Sequence, residues 1–172
     1  MKTYIKFIGK INNLMGSISA WLLIVMILLI CFDVLAKWLA PKLGIQYSNT
    51  AVFEAQWYLF AFVFMLGTAF TLKSDRHVRV DVFYANFSEN KKVWVNLIGT
   101  LLFLIPFCFV TIQTSLIYVR NSFIMHEGSA DPDGLPYRFI IKGLIIFGFS
   151  LLLLQGIALI FESILKIRGK EA

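Results

Sequence analysis

Between Ala55 and Leu72 the chain runs for 18 residues without a charge, headed by Glu54 and followed by the polar stretch Lys73-Ser-Asp-Arg-His-Val-Arg-Val-Asp81. Backbone buried in hydrocarbon must satisfy its own polar groups, so an apolar run of this length reads as a membrane-spanning helix. Three further runs repeat the pattern: Ile11 to Phe32, Val93 to Val119, and Ile140 to Phe161, the last broken only by Lys142 and Gln155. Hydrophobic residues make up 59% of the 172 and charged ones 15%, against about 45–50% and about 25% in soluble domains. The expected fold is therefore all-α integral membrane: one membrane domain over 1–172, with four transmembrane helices (14–38, 52–72, 93–119 and 138–163) plus short interfacial amphipathic helices.

Lysine and arginine set the orientation. The segment Met1 to Lys10, the connection Lys73 to Lys92 and the tail hold 3, 5 and 3 of them, 11 of the 16 in the chain. Both termini are accordingly expected in the cytoplasm, with external loops at Pro41 to Asn49 and Arg120 to Arg138. Lys2, Lys6 and Lys10, with apolar residues between them, predict a short interfacial helix. The 73–92 connection reads as a surface helix, because a lone strand there would leave its backbone unpaired. Pro106 is expected to kink the third span, and Leu135-Pro136 to open the fourth. Gly67, Thr68 and Ala69 form a small-residue patch that lets another helix approach. The net charge of +6 sits at span ends, where contact with anionic phospholipid headgroups accounts for it. No basic stripe with interleaved aromatics lies outside the membrane, so no nucleic acid partner is expected. Cys31 and Cys108 fall inside apolar runs without metal or disulfide spacing.

Few residues offer chemistry. Asp33 and Lys37, four apart on a helix, predict a structural ion pair. Glu54 reads as a carboxylate in the first turn of the second span, or as a partner for Lys37 across the hairpin. His77 and His126 fall on opposite faces of the membrane, which opposes a bis-histidine haem. His77 reads instead as part of a polar surface cluster with Arg76, Arg79 and Asp81. The midplane around Met26, Phe64, Phe107 and Leu152 is almost free of polar groups. Thr111, Gln113, Thr114 and Gln155 suit hydrogen bonds between helices. Secondary transporters hold solutes at interrupted mid-membrane helices, and here only Pro106 hints at one. No nucleophile–base pair, metal-ligand spacing or phosphate-cradling loop is present, so neither an enzyme nor a cofactor is expected. Two alternatives stand beside an accessory subunit. One is an independent homo-oligomeric exporter, which needs a mid-span carboxylate; the other is the anchor of a redox complex, which the histidine placement opposes.

Glu54-Ala-Gln-Trp-Tyr58, Gly67 to Leu72, His77-Val-Arg-Val-Asp81 and Asp131-Pro-Asp-Gly-Leu-Pro-Tyr-Arg138 followed by Lys142 stand in that order on the four-span layout. Together they resemble the small membrane subunit, of the DctQ type, of tripartite ATP-independent periplasmic (TRAP) transporters. The resemblance implies a scaffold in the bacterial inner membrane that braces a large TRAP membrane subunit carrying sodium-coupled, elevator-type transport. Sodium is then expected on that partner. It also implies a periplasmic substrate-binding protein that delivers a small organic acid, such as a C4-dicarboxylate, sialic acid or a sulfonate. On this reading Glu127, Asp131, Asp133 and Arg138 are candidates for docking the binding protein. Arg76, His77, Arg79 and Asp81 are candidates for anchoring to lipid or to the large subunit. Apolar flanks bearing Phe60, Phe62, Phe64, Phe103 and Phe107 suit a bracing role.

Overall fold

The computed structural model describes residues 1–47, 49–74 and 87–169. Helix α1 covers Lys2–Leu39 and runs into a 3-10 turn, Ala40–Leu43; α2 covers Thr50–Lys73. Helix α3 (Glu89–Gly99) passes through a π-helical turn (Thr100–Leu104) into α4 (Ile105–Ile124), and α5 covers Phe139–Ile167. Among the described residues there is no strand. Four stretches are long and apolar enough to cross a membrane: Lys2–Leu43, Thr50–Lys73, Asn90–Ile124 and Phe139–Ile167.

The helix ends depart from the sequence expectations for local reasons. Nothing breaks the chain between Lys10 and Ile11, so no separate interfacial helix forms at the N-terminus. The 38 residues of α1 instead extend about 57 Å, well beyond a hydrocarbon core of about 30 Å. Helix α2 starts at Thr50 because the Asn49 side chain accepts a hydrogen bond from the Val52 N–H at 3.1 Å and caps it. Glu54 therefore lies beyond the first turn, not in it. Pro106 opens α4 rather than kinking a regular helix. The preceding π turn, in which the Ile105 N–H donates to the Thr100 carbonyl, accommodates the missing donor. Pro136 does not begin α5, since Tyr137 adopts a positive φ of 63° and the helix starts two residues later.

Helix α5 is the axis of the bundle. It packs along α1, α2, α3 and α4, while α1 lies otherwise against α2. Its buried stripe, Leu144, Gly148, Leu151, Leu152, Gln155 and Gly156, recurs at the helical period. Among the glycines of α5, Gly156 allows the closest approach: a Cβ there would come within 2.8 Å of Leu104 Cδ2 on the π turn. Polar side chains join the helices at a few points. Asn12 Nδ2 donates to Gln155 Oε1 at 2.6 Å, and Ser19 Oγ to the Val63 carbonyl at 2.8 Å. Lys73 Nζ donates to the Gly9 carbonyl at 2.8 Å and to Asn13 Oδ1 at 2.7 Å. Gly67 turns toward α1, with Ser19 Oγ 3.3 Å from where its Cβ would sit, and Ala69 is fully buried. Thr114 does not reach across to a neighbour; exposed, it bonds back to the Val110 and Thr111 carbonyls. Phe60, Phe64, Phe103 and Phe107 are exposed along the outer faces, and Phe62 is half-buried.

Candidate functional site

The segment between α4 and α5 is a folded clasp rather than an open loop. The Arg138 N–H donates to the Glu127 carbonyl at 2.9 Å and the Ser129 N–H to the Leu135 carbonyl at 3.2 Å, bringing the two arms side by side. Asp131 to Gly134 closes the tip, with the Gly134 N–H on the Asp131 carbonyl at 3.2 Å. Pro132 in the second position and a φ of 59° at Asp133 in the third match a type II turn. His126 (φ 48°) precedes the clasp and Tyr137 (φ 63°) lies near its end. Every non-glycine residue with positive φ among those described thus lies between α4 and α5, and each costs on the order of 1 kcal/mol.

Two carboxylates hold this strained segment. Glu54, on α2 and only 8% exposed, accepts from the Ser129 hydroxyl, from the Leu135 N–H at 2.6 Å and from Arg138 Nη2 at 3.3 Å. Its partner is therefore Arg138, not Lys37. The distances explain the choice: Lys37 is occupied by Asp33 at 2.6 Å, and the clasp delivers three donors to one carboxylate. Glu127, at the clasp's base, takes the ammonium of Lys142. That hydrogen bond and charge hold the Glu127 carboxyl below the usual carboxylate range. Lys142 also lies over the Tyr118 ring, 3.9 Å from its centre. Asp131 and Asp133 are exposed at the tip.

Asp33 forms a second polar knot at the same end of the bundle. Besides Lys37 it accepts from Gln56 Nε2 at 3.2 Å and from the Tyr47 hydroxyl at 3.5 Å. Asp33 and Glu54 therefore serve different loops. The cluster Arg76, His77, Arg79 and Asp81 lies outside the described residues.

A cavity of about 490 Å³ opens under the clasp between α2, α4 and α5. Trp57, Tyr58, Met65, Tyr118, Arg138 and Lys142 line it, together with Glu54. The buried Tyr58 hydroxyl has no hydrogen-bond partner among the described residues. Asp131 also borders it; Arg138 is paired with Glu54 and Lys142 with Glu127, and the rest of the lining is mostly apolar.

Ser129 and the Leu135 N–H were not legible as partners of Glu54, since 75 and 81 positions separate them from it. Lys142 carried a signal: a lone cation inside an apolar span needs an acid nearby, and Glu127 is the acid across the turn. Asn12 carried none beyond being a polar residue in an apolar run.

A family profile described as tripartite ATP-independent periplasmic transporters, DctQ component, matches residues 26–166. No curated protein and no solved structure gives a match. The matched span includes Glu54, Asp33, the clasp and most of α5, and four apolar helices make this a multi-pass protein of the inner membrane. The chain belongs to the DctQ component family of tripartite ATP-independent periplasmic transporters.

Proposed function

We propose that this chain is the small permease subunit that braces the large sodium-coupled membrane subunit of a TRAP transporter and presents the 127–138 clasp to the periplasmic binding protein. Both termini then lie in the cytoplasm, and the clasp faces the periplasm. The observation that carries the reading is where the polar groups go. Among the described residues, the Asn12–Gln155 pair within the bundle and the ion pairs of Asp33, Glu54 and Glu127 at the clasp end are spent on one another, so these groups answer each other rather than a solute. Solute and sodium sites then belong to the large subunit, and this chain performs no enzymatic step. Arg76, His77, Arg79 and Asp81 anchor the α2–α3 connection to headgroups or to the large subunit. The cargo is a small organic acid, whose identity the other chains set.

Reconstitution tests this. In vesicles with an inward sodium gradient, the chain alone should accumulate no labelled C4-dicarboxylate, sialic acid or sulfonate. Adding the large subunit and the cognate binding protein should give uptake of one of them. Accumulation by this chain alone would overturn the reading.

A further inference from the structure

We infer that Glu54, a carboxylate on a membrane-spanning helix, is the positioning residue that sets the shape in which the clasp meets the binding protein. The inference rests on the docking role proposed above. Glu54 is buried, so it presents no surface to a soluble partner. Its oxygens instead take donors from three points of the clasp: Ser129 on one arm, the backbone of Leu135 on the other, and Arg138 where α5 begins. Because those points span both arms, one side chain fixes the whole segment relative to α2.

The clasp needs such a tie. Its backbone takes left-handed conformations at Asp133 and Tyr137, which an untethered loop would relax. The second tie, Glu127 to Lys142, joins only its base to α5 and leaves the tip free to pivot. On the side of the turn the tie is tightly packed. A Cβ on Gly134 would collide with the Ser129 side chain and reach within 2.9 Å of Glu54 Oε2. The carboxylate and the turn are thus packed against each other, and displacing one displaces the other. Asp131 and Asp133, exposed at the tip, then hold fixed positions through the turn that Glu54 ties down.

The test uses the assembled complex of small and large subunits in nanodiscs, with two readouts: hydrogen exchange of the clasp amides and affinity for the cognate binding protein. Glu54→Gln keeps the shape but loses the charge. It should speed exchange at Leu135 about tenfold or more, as expected when a charged acceptor is lost, and weaken binding several-fold, with copurification of the subunits retained. Glu54→Asp should fall between Glu54→Gln and the natural protein. If Glu54→Gln does not assemble, Ser129→Ala removes one donor without altering α2 and should loosen the clasp to a smaller degree. Unchanged clasp exchange in an assembled Glu54→Gln complex would overturn the assignment. Asp131→Ala with Asp133→Ala separates the two claims, since it should weaken binding and leave Leu135 protected. If neither variant changes affinity while Glu54→Gln loosens the clasp, docking at this loop fails and the tie itself stands.

Discussion

Lys142 sits near the start of α5 with its side chain 12% exposed, a placement that is costly for an ammonium unless an acid answers it. Glu127 does so, and the sign of the resulting pH dependence follows. An unfolded glutamate titrates near about 4.3, and the folded Glu127 lies below its ordinary value because Lys142 binds it. Its contribution is fully present above the unfolded value and is lost as pH falls through the folded one. Clasp exchange, corrected for the intrinsic rate, should be flat from neutrality to about pH 5 and rise below it. Glu127→Gln should weaken that acid response and leave the base of the clasp less protected at pH 7. A response identical to that of the natural chain would mean that other carboxylates control it.

Among the elements, α1 and α5 are joined by the Asn12–Gln155 pair and by the Tyr4 hydroxyl, which donates to the Leu154 carbonyl at 3.1 Å. Asn12 is fully buried, and its Oδ1 has no partner among the described residues. The pair is worth on the order of 1 kcal/mol, the size of a hydrogen bond between membrane helices. Asn12→Leu alone strands the Gln155 amide and should lower thermal stability in detergent. Adding Gln155→Met removes the stranded group and should restore most of the loss, because replacing both partners costs less than orphaning one. A double variant less stable than the single would show that the pair sets helix register rather than merely satisfying itself. The π turn before Pro106 works at the same scale: it lets a 35-residue span (Asn90–Ile124) continue through a proline.

Taken whole, the molecule places its N-terminus, the end of α2 and the end of α5 together, and the Asp33 knot and the clasp at the opposite end. Lys73 bonded to Gly9 and Asn13, and Tyr4 packed edge-on against Phe161 at 5.5 Å, mark the first end. In the orientation proposed from the lysine and arginine asymmetry, that end lies in the cytoplasm. Single cysteines, on a background with Cys31 and Cys108 replaced, check it. Asp133→Cys should react with a membrane-impermeant thiol reagent in intact spheroplasts, and Arg168→Cys only after permeabilisation. The reverse pattern would invert the molecule and remove the clasp from the periplasm.

The sequence by itself determined the four spans and the all-helical fold, because uncharged runs near 20 residues leave the backbone no other way to satisfy itself in lipid. It also determined the Asp33–Lys37 pairing, whose spacing is local to one helix. Only the tertiary structure decided that Glu54 belongs to the loop before α5 rather than to Lys37, and that Asn12 meets Gln155. It alone turned the 127–138 segment into a tied clasp. Periodicity reports which face of a helix is apolar, whereas a buried carboxylate is claimed by whichever donors the packing of separate helices brings within reach, and that depends on contacts between residues far apart in the chain.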